Sequence, residues 1–242
     1  MDKRQIIDVK NRGKLVYFNI KKNSKMYLKK NELIKISGEI ESCKNFDKII
    51  DKVDCSDFFV HVNYLLYNQN NIKGYSMQFY KDVKNLKQLS KRSLALKKTD
   101  CPKIQKAFNF MTQNRLCYVD VYLKNFMITS SGELLITDLE SLSNSKVDDL
   151  AYLNQRMASI LSLSYLYNIE VNETLVLIKN RSIFLNNNNE MLLKYFSKLN
   201  KNSDIKELLK LISIDDIASN RKQLKRNSKI LSKNEYFRKY YY

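Results

Sequence analysis

Residues 117–140 read CYVDVYLKNFMITSSGELLITDLE, and this stretch constrains the fold more than any other. Two apolar, β-prone runs, FMITS and ELLIT, flank a Ser-Ser-Gly-Glu turn signal, a pattern that predicts a hairpin. CYV predicts a short strand ahead of it, and VYLKN an irregular loop between. Asn125 precedes one strand of the hairpin and Asp138 follows the other, so the two lie at its open end. Asp120 enters that end from CYV. The spacing predicts three oxygen-bearing side chains at one mouth. Hard cations such as Mg²⁺ take oxygen ligands and keep some water, so one Asp and one Asn form a suitable partial shell. A third, metal-free Asp is suited to orienting or deprotonating a hydroxyl.

The surroundings of this stretch differ on its two sides. Upstream, residues 5–9, 15–20 and 25–30 read as strands, the first two as a hairpin across NRGK. Residues 31–44 read as a helix, with Leu33, Ile36, Ile40 and Cys43 on one face. Residues 58–67 and 73–80 read as a second hairpin across NQNN. A short helix at KNLKQL follows, then a longer one over 101–114, opened by Asp100 as cap with Pro102 in its first turn. After Val147 the pattern is helical: 148–167, 172–180, 189–199 and 204–214. The expectation is an α+β chain with a small β-rich N-lobe over 1–80 and a larger, mainly helical C-lobe over 81–242. Only four glycines and one proline occur, which disfavours linker-rich or sandwich designs.

Charge and rare residues narrow the chemistry. The net charge of +18 favours anionic partners: nucleic acid, phosphorylated metabolites, an acidic protein or an anionic membrane. Residues 221–242 mix eight basic side chains with Tyr and Phe, a composition suited to single-stranded nucleic acid or to an anionic membrane surface. A basic terminal helix packed by its aromatics fits equally well. The single histidine, His61, and four cysteines without a CxxC pair argue against a zinc site and a Ser-His-Asp triad. Reduced cysteines, an N-terminus without an apolar core and the lack of a run near the roughly 20 residues of a membrane span lead us to expect a soluble cytoplasmic protein.

The intervals of five and thirteen residues from Asp120 to Asn125 to Asp138 resemble the catalytic core of the protein-kinase-like superfamily. KGYSMQFYKDVKNLKQL resembles that superfamily's fifth strand, hinge and following helix, with Gly74 and Met77 in familiar places. Asp149-Leu150-Ala151 resembles the helix opening that follows the metal-binding Asp in aminoglycoside- and choline-kinase-like enzymes, where its role is to brace the catalytic loop. The likeness covers about residues 73–155. It implies a bilobal protein-kinase-like fold, ATP and Mg²⁺ as cofactors, and γ-phosphate transfer to a hydroxyl of a protein or an anionic small molecule. On the resemblance Asp120 is the catalytic base, Asn125 and Asp138 are metal ligands, and Met77 and Lys124 border the nucleotide. A strand lysine, Lys29 or Lys30, contacts phosphate and pairs with Glu32, Glu39 or Glu41; Lys29 and Glu39 are the pair chosen. The chain departs from the pattern at Tyr118, where histidine is usual, at Tyr122, at Asp-Leu-Glu in place of Asp-Phe-Gly, and in having no glycine-rich loop. A catalytically degenerate relative that binds nucleic acid or a protein partner is the alternative reading.

Overall fold

A computed structural model describes residues 4–6, 14–19, 24–42, 45–68, 71–179 and 189–212. The NRGK and NQNN turns in part, Cys43, most of the asparagine tract and residues 221–242 lie outside the described residues. The fold is mixed α+β and the chain divides into two compact units. The first joins Met1–Val83 to Met127–Asn144; the second joins Lys84–Phe126 to Ser145–Tyr242.

The chain opens with β1 (Arg4–Ile6), β2 (Lys14–Asn19), β3 (Ser24–Lys29), β4 (Glu32–Ser37), α1 (Gly38–Ser42) and α2 (Phe46–Val53). β5 (Val62–Asn68) and β6 (Asn71–Gln78) complete the first run. β7 (Lys84–Asn85), α3 (Leu86–Leu89), α4 (Leu94–Gln113), β8 (Leu116–Tyr118) and a 3₁₀ turn, Leu123–Asn125, follow. β9 (Phe126–Ile128), β10 (Leu134–Ile136), a second 3₁₀ turn at Leu139–Ser141 and β11 (Leu142–Asn144) lead to the closing helices. These are α5 (Leu150–Tyr167), α6 (Val171–Lys179), α7 (Asn189–Lys198) and α8 (Ile205–Lys210).

In the first unit, six strands form one sheet in the order β1-β5-β6-β4-β3-β2. The expected pairing of the first two strands is not what forms: β1 runs parallel to β5 at one edge, and β2 pairs with β3 at the other. A larger difference concerns residues 31–44. Glu32–Ser37 is a strand, and only Gly38–Ser42 is helical. The positions of Leu33, Ile36 and Ile40 fit a helical face, but Ile34 and Ile36 also alternate with Leu33, Lys35 and Ser37. A two-residue turn, with Lys30 at a φ of 54°, returns the chain directly beside β3. Pairing on both edges, with β3 and with β6, then outweighs local helical preference.

Gly74 fixes how closely β4 and β6 approach. It stands opposite Ile36, and a Cβ built there would lie 2.1 Å from the Lys35 carbonyl oxygen. The buried layer against the sheet includes Ile40, Phe46, Ile49, Ile50 and Val53, with the Phe46 ring 5.6 Å from that of Tyr75. The hairpin expected at the Ser-Ser-Gly-Glu turn is present: Thr129 N–H donates to the Glu133 carbonyl (2.9 Å), and Gly132 takes the positive φ, 85°, that the turn requires. β10 docks beside residues 58–60, with Ile136 N–H donating to the Phe58 carbonyl (2.8 Å) and Val60 N–H to the Ile136 carbonyl (3.1 Å).

The second unit is built on the packed pair α4 and α5. α4 starts at Leu94 under a Ser93 cap, so Pro102 falls inside the helix and not in its first turn. Asp100, expected as the cap, is instead a buried carboxylate that accepts from Tyr165 Oη (2.9 Å) and Lys103 Nζ (3.1 Å). Lys97 is buried, and its ammonium donates to the carbonyls of Leu166 and Tyr165 at the C-terminal end of α5. These are groups a helix leaves without internal partners, at the end where its dipole favours a cation. Burial pushes the Cys101 thiol up to about 12. Among the described residues no helix is long and apolar enough to cross a membrane.

Gly74→Ala should lower stability by about 3 kcal/mol, because the added methyl meets backbone and only strand displacement relieves it. Urea unfolding of the two proteins measures this; a loss within a few tenths of a kcal/mol would mean that β4 and β6 yield easily.

Candidate active site

The first unit brings a lysine and two carboxylates together. Lys35 lies on the central strand β4, directly opposite Tyr75 on β6. Its ammonium is hydrogen-bonded and ion-paired with Asp138 Oδ1 and stands 2.5 Å from Glu140 Oε1. The docking of β10 beside residues 58–60 delivers these acids, since both follow that strand within four residues. Asp138 then turns the chain through a left-handed backbone (φ 63°, ψ 52°), one of the few conformations of this kind that Asp tolerates better than most residues. Its carbonyl accepts from Ser141 N–H (2.9 Å) and its Oδ2 from Ser141 Oγ (3.1 Å), so backbone and side chain are both held. Such strain persists where the surroundings over-determine the position.

The two acids differ in exposure. The Asp138 side chain is 19% exposed and that of Glu140 only 2%. Glu140 Oε2 accepts from the phenol of Tyr75 (3.1 Å), whose ring is fully buried. Burial alone would lower the Lys35 pKa, but the Glu140 and Asp138 carboxylates more than offset it and hold it above the ordinary lysine value. Burial pushes the Glu140 carboxyl upward against the opposing pull of Lys35. The Tyr75 phenol is likewise held well above its usual value, by burial first and then by the charges of Glu140 and Asp138.

The other residues singled out by sequence fall as follows. Met77 is buried on β6, opposite Leu33 and Val62. Lys29 is exposed at the end of β3 and Lys30 is exposed in the turn, while the strand lysine that meets Asp138 is Lys35. Glu39 is half-buried on α1, its N–H donating to Ser37 Oγ (3.2 Å); the ion pairs of Lys35 are with Asp138 and Glu140. In the second unit, Asn125 is buried and its side-chain amide donates to the Asp120 carbonyl (3.0 Å), closing the loop between them. Asp120 itself is half-buried. Lys124 is exposed, its ammonium 5.4 Å from the centre of the Tyr122 ring. Tyr118 is buried, edge-on against Phe126 at 5.6 Å. Asp149 is exposed, and the brace on this region comes from Asn154, whose amide donates to the Leu116 carbonyl (3.1 Å) and to Thr112 Oγ1 (3.0 Å).

A scan against protein-family models finds no match to this chain, and a search of curated proteins finds none either.

Lys35 is the residue that sequence reasoning missed, because residues 31–44 read as a helix. The signal was a lysine within Glu-Leu-Ile-Lys-Ile-Ser, flanked on both sides by β-branched isoleucine. Among the described residues no group of three or more His, Cys, Asp or Glu is placed to hold a metal ion. Mg²⁺ bound with a nucleotide does not require one, since one or two carboxylates, water and the phosphates suffice. Asp138 is the more open of the two carboxylates at Lys35, and its oxygens are the hard donors that such an ion takes. On that chemistry the residues fit a divalent ion.

Tyr75 and Lys35 both keep their protons past their ordinary values, so the stability they contribute is complete below about pH 10 and falls as pH rises through the folded-state values. Tyr75→Phe removes the phenol's share of that loss. Its urea midpoint should fall less than wild type between about pH 9 and pH 11; parallel losses would show that the phenol ionises as it does in the unfolded chain.

Proposed function

We propose that the protein is an ATP- and Mg²⁺-dependent phosphotransferase with the bilobal protein-kinase-like fold, moving the γ-phosphate to a hydroxyl of a protein or an anionic small molecule. The observation that carries this reading is the meeting of Lys35 with Asp138. The motif spacing singled out Asp138 as a metal-binding carboxylate with no reference to Lys35, and a buried strand lysine stands against it. A lysine for phosphate charge and an acid for the metal are the two groups that phosphoryl transfer most needs.

In this reading Lys35 offsets charge on the nucleotide phosphates, and Asp138 and Asn125 are the ligands that hold Mg²⁺. The ion supplies neutralisation of the phosphate charge. Asp120 accepts the proton of the acceptor hydroxyl as its oxygen bonds to the γ-phosphorus; the bond from that phosphorus to the β,γ-bridging oxygen breaks, ADP departs, and the proton rests on the Asp120 carboxyl. Met77 forms part of the wall for the base. The net charge of +18 favours an anionic acceptor over a cationic one such as an aminoglycoside.

The rival is a binding module that has lost catalysis, and Tyr118 is the residue that favours it. Where the resemblance expects histidine, a buried tyrosine packs on Phe126. Calorimetry with ATP and Mg²⁺ separates the two readings. Wild type should bind, and Asp138→Asn should weaken binding about tenfold or more. Asp120→Ala should keep nucleotide affinity while γ-phosphate transfer, scored with labelled ATP on a cell lysate, drops by about 10²-fold or more. Wild type that neither binds nor turns over nucleotide would sink the enzyme reading, and an active Asp120→Ala would remove Asp120 as the base.

A further inference from the structure

We infer that Glu140, backed by Tyr75, is the residue that positions Lys35 for the nucleotide phosphates. It fills the part that the resemblance gives to a helix carboxylate, the part expected of Glu39. The inference rests on the phosphotransfer reading and adds to it a residue which that reading does not use.

Three observations support it. First, Lys35 divides its ammonium between two acids, and they are not equivalent. Asp138 is 19% exposed and open to an incoming ligand, whereas Glu140 is 2% exposed and closed to one. A ligand that engages Asp138 leaves Glu140 as the partner of Lys35. Second, Glu140 is held from behind. Its other oxygen accepts from Tyr75 Oη (3.1 Å), and Tyr75 stands opposite Lys35 across the β4–β6 ladder. Lys35, the ladder, Tyr75 and Glu140 therefore form a closed ring of contacts, and the Phe46 ring 5.6 Å from Tyr75 adds packing behind it. Third, among the described residues the ion-pair partners of Lys35 are Asp138 and Glu140. A long lysine side chain loses much rotamer freedom when fixed, and a pre-placed carboxylate bears that cost before the nucleotide arrives.

The role is positioning, since Glu140 acts through Lys35. Its test is a double-mutant cycle on ligand affinity, using Glu140→Gln, Lys35→Met and the double variant, with circular dichroism to check folding. ATP is titrated with Mg²⁺ and with chelator, and adenosine serves as a probe that carries no phosphate. Glu140→Gln should weaken ATP about tenfold under both conditions and leave adenosine affinity unchanged. In the Lys35→Met background the same substitution should cost nothing further. Tyr75→Phe, which removes only a hydroxyl, should weaken ATP in the same direction by a smaller factor and keeps the test open should Glu140→Gln misfold. A loss confined to Mg²⁺-containing samples would make Glu140 a metal-side residue and overturn the inference, as would a loss that persists without Lys35 or no loss at all. Wild type that binds neither ATP nor adenosine would remove the phosphotransfer reading as well; the other outcomes leave that reading standing.

Discussion

The ammonium of Lys35, held between Asp138 and Glu140, is the interaction on which the first unit depends. A charge taken out of water is costly unless it is paired and hydrogen-bonded, and removing one partner of a buried pair costs about 3–5 kcal/mol. Here the pairing spans more than a hundred residues of chain, from β4 to the turn after β10. It ties the returning segment Met127–Asn144 to the six-stranded sheet, and so it joins pieces that local sequence keeps far apart. Backbone hydrogen bonds between Ile136 and residues 58–60 set the approach, and the ion pair fixes its end point.

The rest of the unit can be seen as serving that end point. Gly74 lets β6 approach β4 closely, which sets Tyr75 opposite Lys35. The phenol then reaches Glu140, and Phe46 packs against the ring from α2. In the second unit a comparable economy appears at α4 and α5. Lys97 closes the end of one helix from within the other, and Asn154 reaches the strand that leads into the loop of Asp120 and Asn125. In both units a polar side chain finishes what the backbone leaves open.

Much of this was legible in the sequence, and the gaps have physical causes. The hairpin at Ser-Ser-Gly-Glu, the short helix at KNLKQL and the long helices after Val147 carry local signals strong enough to stand alone. The strand Glu32–Ser37 does not: its identity comes from partners on both edges, and its apolar positions fit either period. That ambiguity hid Lys35, and the lysines that stand out in the sequence are Lys29 and Lys30, at and just past the end of β3. Asp100 shows the same limit. As a cap it satisfied every local rule, yet contact with Tyr165, sixty-five residues away, places it inside a longer helix. Glu140 stood in the sequence only as the acid two residues after Asp138, because burial and the Tyr75 contact belong to the assembled unit.

The left-handed backbone at Asp138 has a consequence for how such a protein can change over time. Few residues other than glycine occupy that conformation readily, and asparagine is the other that does so well. Asparagine keeps the shape of aspartate at this position but exchanges one acceptor oxygen for a donor amide, and Lys35 would be left with Glu140 as its ion-pair partner. The left-handed turn therefore accepts the exchange that abolishes the carboxylate, and its cost falls on the Lys35 ion pair instead of the backbone. Backbone shape and side-chain charge are thus separate demands at this residue: asparagine meets the first, and aspartate meets both.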